Sequence, residues 1–210
     1  MSGKNADAQL PVVIVLAAGQ GRRFRQSGGT VHKLDALLGG KTLLERVLRT
    51  VATSGLECHI VRPEQGACTD TQGIGDSIAR GVQATADAWG WLILPGDLPL
   101  VRAQSLLQVA RELAMQPVVT PFWNGQQGHP VGFRAECFQA LTLLRGDTGA
   151  ASVVRAYRQM GAVRELHLDD PGITTDIDTL ENLAQAEELL SSRLPSPQPE
   201  PVNERFYGKH

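Results

Sequence analysis

The segment 11–17 constrains the fold of this chain more than any other stretch of its sequence. It reads PVVIVLA, a continuous apolar and largely β-branched run that gives way to glycine. A run without alternation is typical of a strand buried on both faces, as in the parallel sheets of α/β proteins. The sequence therefore predicts an inner strand of a sheet that helices cover on both sides.

The rest of the chain alternates between strand-like and helix-like segments. Further strands are predicted over 57–61, 89–94, 117–122, 130–133 and 163–168. Helices are predicted over 42–54, 75–85, 103–115, 135–144, 150–160 and 179–190, and the stretch 19–40 is read as a long loop. This alternation predicts right-handed crossovers and a doubly wound α/β sheet, whose ligands bind beyond the carboxyl ends of the strands.

Length and composition favour a single domain. A chain of 210 residues with 42% hydrophobic content can bury a full core. We expect a flexible N-terminus over 1–10 and one domain over 11–190. From position 191 the chain becomes rich in Pro, Ser and Glu, as in PSPQPEPVNE, which predicts a disordered tail over 191–210.

Charge, hydropathy and cysteine content exclude several classes of protein. The formal net charge of -2 argues against a nucleic-acid binder that works through a general basic face. The absence of a long apolar run and of a signal peptide predicts a cytoplasmic protein without a membrane segment. Cys58, Cys68 and Cys137 form no CxxC pair, so buried free thiols are expected instead of a zinc site or disulfides.

The first predicted strand ends in a glycine-rich and arginine-rich loop. Residues 16–24 read LAAGQGRRF, and Lys33 follows further on. Glycines let backbone N–H groups close around an anion and cations offset phosphate charge, so the segment suits a triphosphate. The alternative is an ordinary turn with solvated arginines. The loop lacks the GK[ST] of a P-loop and the third glycine of a dinucleotide-binding fingerprint.

Carboxylates stand at two other strand or helix boundaries. Asp97, in the segment PGDLPL, directly follows a predicted buried strand, where it can hold Mg²⁺ or cap a turn. Asp176 and Asp178 precede the last predicted helix, where they form either a second acidic pair or a helix N-cap. The sequence leaves both alternatives open.

Short segments across 12–183 together resemble the molybdenum cofactor cytidylyltransferases and related molybdopterin nucleotidyltransferases, the MobA-like NTP transferase family. The matching segments are LAAGQGRRF, KL at 33–34, GKTLLERV, GIGDSIARGV, LILPGDLPLV, GHPVGF, RGDTGA and DIDTLENL. The resemblance implies a glycosyltransferase-A-like (Rossmann-like) fold, an α/β three-layer sandwich with a mostly parallel central sheet. The loop between Phe24 and Lys33 is longer than in the family pattern, and Gly28 and Gly29 give it freedom to fold back.

The resemblance also implies a magnesium-dependent nucleotidyltransferase and roles for particular residues. Arg23, Lys33 and Asp97 would be catalytic, and Asp97 and Asp178 would hold Mg²⁺. His129 would contact the acceptor, or it would brace the turn before Pro130. The residues expected to bind the nucleotide are Leu16, Ala17, Ala18, Gly19, Gly21, Arg22 and Ser77. The Ala-Ala-Gly form of the loop resembles the branch of the family that uses CTP.

The implied reaction transfers CMP from CTP to molybdopterin or the molybdenum cofactor and releases pyrophosphate. Expected partners are CTP or another NTP, a molybdopterin-type phosphorylated acceptor and a molybdoenzyme apoprotein, with neither nucleic acid nor membrane. Alternatives are guanylyl transfer, nucleotidyl transfer to a sugar phosphate, and a non-catalytic cofactor-binding or delivery protein. The last is motivated by Arg25 and Ala151, which depart from the family pattern.

Overall fold

The computed structural model describes residues 10–63 and 73–193, and a seven-stranded sheet forms the centre of this part of the chain. The strands are β1 (Val12–Leu16), β2 (Leu37–Leu38), β3 (Lys41–Thr42), β4 (Cys58–Val61), β5 (Gly90–Pro95), β6 (Val118–Trp123), β7 (Gln126–Gln127), β8 (Val131–Arg134) and β9 (Val163–His167). The helices are α1 (Arg22–Gln26), α2 (Leu43–Ser54), α3 (Ile74–Ala84), α4 (Ala103–Glu112), α5 (Phe138–Thr142), α6 (Ala151–Gln159) and α7 (Leu180–Arg193).

The order of the strands confirms the predicted α/β class. The sheet runs β4-β1-β5-β8-β6-β7, and β9 pairs with β6. β1 is parallel to both β4 and β5, and β6 is parallel to β9, whereas β8 lies antiparallel between β5 and β6. β2 and β3 form a separate two-stranded hairpin. The sheet is therefore mostly parallel, with β7 and β8 as the reversed strands.

The alternation of side chains along β1 explains the three layers. Val13 and Val15 are fully buried in one apolar cluster together with α2 and α4. Ile14, one residue away on the opposite face, is fully buried in a second cluster with α3, α5 and α6. Successive side chains of a strand point to opposite faces, so an unbroken apolar run covers both faces of the sheet. The predicted three-layer sandwich is confirmed.

Several boundaries differ from those expected from the sequence. The stretch read as a loop contains the short helix α1 and a 3₁₀ turn at Lys33–Asp35. The single helix predicted over 135–144 is a 3₁₀ turn, Ala135–Cys137, followed by α5. Helix α7 extends to Arg193, beyond the expected domain end at 190, and positions 1–9 and 194–210 lie outside the described residues.

Two of the three cysteines can be placed. Cys137 is a buried free thiol, as expected, but Cys58 is exposed because, among the residues that the structure describes, its strand β4 lies at the edge of the sheet and pairs with β1 alone. The expectation of a buried thiol at Cys58 is therefore wrong, and Cys68 lies outside the described residues. Within 10–63 and 73–193, none of the helices has the length and apolar character needed to cross a membrane.

Candidate active site

The ends of β1 and β5 bring the glycine-rich loop and Asp97 together. Leu16 pairs with Pro95 in the parallel ladder, and the N–H of Gly96 donates to the carbonyl of Leu16 at 2.9 Å. Both strands thus stop at the same edge of the sheet, as the parallel arrangement predicts. Beyond this edge lies a cleft of about 410 Å³. Its lining comprises Leu16, Ala18, Gly19, Gln20, Gly21, Arg22, Lys33, Leu34, Gly73, Ile74, Ser77, Pro95, Asp97, Gly146 and Asp147.

The loop after β1 folds back on itself and returns Lys33 to the cleft. Gly21 has a φ of 60°, and a Cβ at this position would lie 2.8 Å from the Cβ of Lys33. His32 reaches the carbonyl of Gly19 through Nε2 at 3.0 Å, and its Nδ1 accepts from the N–H of Leu34 at 3.3 Å. Glycine at position 21 therefore allows both the left-handed turn and the close approach of the returning chain.

Lys33 joins the two carboxylates that the sequence singled out. Its Nζ donates to Oδ2 of Asp97 at 2.7 Å and to Oδ1 of Asp178 at 2.8 Å, and its side chain is only 11% exposed. Burial lowers the pKa of Lys33, but Asp97 and Asp178 outweigh it and raise that pKa above the ordinary value. Lys33 is therefore protonated at neutral pH and lies between two carboxylates.

Arg23 completes this charged cluster from the exposed side. Its Nη1 donates to Oδ2 of Asp178 at 2.9 Å, and 79% of the Arg23 side chain is exposed. Burial raises the pKa of Asp178, but Lys33 and Arg23 together pull it below the ordinary value of an aspartate. Asp178 is therefore ionised at neutral pH, with both oxygens engaged by cations.

The backbone before α7 brings Asp178 next to Lys33 and Asp97. The N–H of Ile177 donates to the carbonyl of Asp97 at 3.1 Å, which docks the two acidic segments against each other. Thr179 and Asn182 cap the helix reciprocally: Thr179 Oγ1 accepts from the N–H of Asn182, and Asn182 Oδ1 accepts from the N–H of Thr179. The reading of Asp178 as the N-cap is therefore wrong, and its carboxylate pairs with Lys33 and Arg23 instead. Asp176 is exposed.

The donor atoms of the cluster fit a hard divalent cation. Oδ1 of Asp97 is buried and has no hydrogen-bond partner among the residues that the structure describes. Those same residues contain no group of three or more His, Cys, Asp or Glu side chains suited to a metal. Mg²⁺ is commonly held by one or two carboxylates, with phosphate oxygens and water filling its other positions. Asp97 and Asp178 offer two carboxylates of this kind. Such a site does not need a closed cage of protein ligands.

Two glycine-containing turns, around Gly73 and Gly146, form another wall of the cleft. The sequence analysis does not predict this wall. A Cβ on Gly73 would overlap the backbone of Gly146, and the N–H of Gly75 donates to the carbonyl of Gly146 at 2.8 Å. Ile74 and Asp147 also line the wall. The segments GIGDSIARGV and RGDTGA contain these residues, and Ser77 in the first segment is among the predicted nucleotide-binding residues. Their contact depends on tertiary packing that the sequence does not display.

Asp76 ties the two turns of this wall together. Its Oδ2 accepts from the N–H of Gly73 at 3.0 Å and from the N–H of Gly146 at 2.8 Å. The Gly73 hydrogen bond contributes most to lowering the pKa of Asp76. The carboxylate is therefore ionised at neutral pH, when its two accepted hydrogen bonds are strongest.

We expect Asp76→Ala to loosen this wall and to raise the KM for the nucleotide about tenfold, with a smaller effect on kcat. The substitution removes two charge-assisted hydrogen bonds, each contributing about 1.5–3 kcal/mol, and this loss is large enough to produce the expected rise in KM. Steady-state kinetics with varied NTP measures the change. Asp87→Ala, at an exposed position after α3, is the matched control. Equal KM values for the two variants would contradict the assigned role of Asp76.

The structure distributes the predicted site residues unequally. Those lining the cleft are Leu16, Ala18, Gly19, Gly21, Arg22, Lys33, Ser77 and Asp97. Ala17 is buried behind the loop, and Arg23 and Asp178 adjoin the cleft through Lys33 without lining it. Gln20, outside the predicted set, lines the cleft and accepts from Nε of Arg22 at 2.8 Å.

His129 lies apart from the lining of the cleft. Its N–H donates to the carbonyl of Ile173 at 2.9 Å, and its peptide bond to Pro130 is cis. Nδ1 is buried without a hydrogen-bond partner among the described residues. Burial lowers the pKa of His129, although the charge of Asp97 opposes this shift, so the imidazole is neutral at pH 7. The backbone contact fits the bracing alternative, and contact with an acceptor stays a prediction.

The fold and the site together define a class of protein. A mostly parallel α/β sandwich, a glycine loop at the end of its first strand and a carboxylate at the end of a neighbouring strand are typical of nucleotide-binding transferases with the glycosyltransferase-A-like fold. The sequence profile of the MobA-like NTP transferase domain matches residues 13–162. The chain belongs to that family.

Individual proteins are similar to this chain in sequence or in fold. The chain is 28% identical over 205 residues to the purine catabolism protein PucB of Bacillus subtilis, a match that covers 85% of this chain and 96% of PucB. A nucleotidyl transferase from Methanothermobacter, Mth528, superposes with a TM-score of 0.74 at 20% identity, covering 88% and 99% of the two chains. Rv0371c of Mycobacterium tuberculosis in complex with manganese gives a TM-score of 0.64 at 21% identity, covering 85% and 98%. The two structural matches show the fold.

Proposed function

We propose that this nucleotidyltransferase transfers CMP from CTP to the terminal phosphate of molybdopterin or of the molybdenum cofactor, with release of pyrophosphate. The observation that carries the proposal is the cluster of Lys33, Asp97 and Asp178 beside the glycine loop. A polyphosphate with a divalent cation needs this combination of backbone N–H donors, cations and hard oxygen ligands. The motifs that resemble molybdopterin nucleotidyltransferases support the acceptor.

The charged groups of the site have different roles according to their sign. Backbone N–H groups of the loop at Gly19 and Gly21 bind phosphate oxygens, and Arg22 at the rim of the cleft adds positive charge. Asp97 and Asp178 would hold Mg²⁺, which supplies neutralisation of phosphate charge when bound. The manganese complex of Rv0371c supports a divalent cation in this fold.

The transfer step needs positioning more than covalent chemistry. A terminal phosphate oxygen of the acceptor attacks the α-phosphorus of CTP in line, and the bond from that phosphorus to the pyrophosphate oxygen breaks. Pyrophosphate leaves with the electron pair of the broken bond. The cations Lys33 and Arg22 stabilise the charge that grows on it, while the glycine-walled cleft fixes the triphosphate. A nucleophilic side chain is not required.

We expect CTP to be used at least about tenfold better than GTP, as judged by kcat/KM. The Ala-Ala-Gly form of the loop, at 17–19, is the basis of this expectation. A difference of about 1.4 kcal/mol in transition-state binding produces such a factor. Pyrophosphate release is measured with each NTP and Mg²⁺, with and without molybdopterin. Release that depends on molybdopterin but favours GTP would leave the enzyme class intact and refute the cytidylyl assignment.

The acceptor is tested separately from the nucleotide. Release with CTP that requires molybdopterin supports the proposed acceptor, and release that requires a sugar phosphate instead refutes it. A protein that binds CTP but releases no pyrophosphate with any of these acceptors would favour the non-catalytic delivery role. If molybdopterin is the acceptor, or if the protein delivers the cofactor without catalysis, the proposed recipient is the apoprotein of a molybdoenzyme.

A further inference from the structure

A second cavity, of about 340 Å³, lies between α2 and the beginning of α4. It borders Pro99 and Val101, which follow Asp97 in the chain, whereas Asp97 itself faces the catalytic cleft. Its lining includes the cations Lys41, Arg46, Arg49 and Arg102 and the hydroxyl groups of Thr50 and Thr53. The cavity is therefore separate from the cleft but adjoins the segment that carries Asp97.

Helical spacing explains why these groups face one volume. Arg46, Arg49, Thr50 and Thr53 follow one another at intervals of three, one and three residues along α2, which places them on a common face. Oγ1 of Thr50 donates to the carbonyl of Val101 at 3.3 Å and holds this face against the chain before α4. Two elements thus converge on the cavity, and both contribute cations.

Carboxylates neutralise only part of this positive charge. Lys41 and Arg49 share the exposed Glu45, at 3.9 Å and 3.8 Å. Arg102 lies 3.6 Å from Asp170, measured between Nε and Oδ1. Within the described part of the chain, Glu45 and Asp170 are the carboxylates in ion pairs with the cations of the cavity. More positive than negative groups therefore surround the volume, in a protein whose formal net charge is -2.

Arg46 is held in place by two backbone carbonyls. Its Nε donates to the carbonyl of Leu38 at 2.6 Å, and its Nη2 donates to the carbonyl of Gly39 at 3.2 Å. Burial lowers the pKa of Arg46, Glu45 opposes that shift, and the like charge of Arg49 adds to it. Backbone carbonyls orient this guanidinium without cancelling its charge, so an anion in the cavity would relieve its repulsion with Arg49.

We propose that this cavity binds a small oligophosphate anion of at least pyrophosphate size. A cavity of this volume lies in the range of small-molecule sites, and guanidinium groups arranged around a concave space suit the several oxygens of such an anion. The proposal goes beyond the proposed transfer reaction and does not depend on it. A bound anion would contact the segment that follows Asp97, at Pro99 and Val101.

The test is a titration of the whole protein with pyrophosphate in the absence of divalent cations. Binding is monitored by the chemical shifts of backbone amides. The amides of Thr50, Thr53 and Ala103 report on the cavity, and those of Gly19 and Gly21 report on the cleft. In the wild-type protein, we expect the cavity amides to shift with saturation. In Arg49→Glu, the cavity amides should require at least about tenfold more pyrophosphate, while the cleft amides respond as in the wild type.

Two further variants make the outcome decisive. Lys41→Gln should also weaken the response of the cavity, whereas Arg111→Glu should leave it unchanged. Arg111 is an exposed residue of α4 away from the cavity, and its replacement changes the net charge as much as Arg49→Glu does. The proposal is overturned if the cavity amides do not shift in the wild type, or if Arg49→Glu has no effect. It is equally overturned if Arg111→Glu weakens binding as much, because general charge attraction would then explain the response.

Discussion

Asp97→Asn is expected to reduce kcat/KM for nucleotidyl transfer about 10³-fold. The amide keeps the shape of the carboxylate but removes the negative charge that Lys33 contacts at 2.7 Å and that a divalent cation requires. Loss of one preorganised electrostatic group commonly costs about 10²–10³ in rate, and the loss of a carboxylate proposed to hold the divalent cation adds to this. The change is measured as pyrophosphate release with saturating Mg²⁺.

Asp176→Asn is the matched control for this prediction. It removes the same charge from an exposed position in the neighbouring acidic segment, so we expect turnover close to that of the wild type. Thermal unfolding of both variants shows whether the fold is intact. Wild-type turnover in a folded Asp97→Asn protein would refute the assigned cation site.

Lys33→Met is expected to reduce turnover about 10²-fold and to destabilise the protein at neutral pH by about 1–3 kcal/mol. The substitution retains the bulk of the side chain but leaves Asp97 and Asp178 without the cation between them, and a partly buried ion cluster that loses one member is destabilised. Kinetics and denaturant unfolding measure the two effects. Arg25→Met, at an exposed position of α1, removes one positive charge as a control.

The pH dependence of stability follows from the directions of the pKa shifts. Because the pKa of Lys33 is raised, its contribution is fully present below the ordinary pKa of lysine, about 10.4, and is lost as pH rises through the folded-state pKa. Because the pKa of Asp178 is lowered, its contribution is present above about 3.9 and is lost as pH falls through the lower folded-state pKa. Lys33→Met removes the first contribution and weakens the second. If the stability of Lys33→Met depended on pH as that of the wild type does, the described ion pairs of Lys33 would be contradicted.

The parallel sheet and its functional edge follow from local sequence patterns. An unbroken apolar strand at 11–17 requires cover on both faces, and the ends of parallel strands meet at one edge. These two facts place the glycine loop and Asp97 at the same edge of the sheet, and the structure adds that their strands are neighbours. The residues concerned lie at most a few positions beyond strands that hydrophobicity identifies, so little tertiary information was needed.

The rest of the cleft depends on contacts that no local pattern reports. Asp178 meets Lys33 across 145 positions of sequence, and the competing cap interpretation was resolved only by the pairing of Thr179 with Asn182. The contact of Gly73 with Gly146 is likewise set by the packing of α3 against the turn before α6. Helix α1 was missed because its five residues carry a single buried apolar side chain, Phe24, too few for a recognisable period.

The position of Asp178 has a consequence for the timing of assembly during translation. The glycine loop and Asp97 belong to the first half of the chain, whereas Asp178 precedes the last described helix and lies beyond the matched family segment 13–162. A nascent chain can therefore form the central strands while Lys33 has only one of its two acidic partners. The ribosome must release Asp178 from its exit tunnel before the charge balance of the cleft is complete.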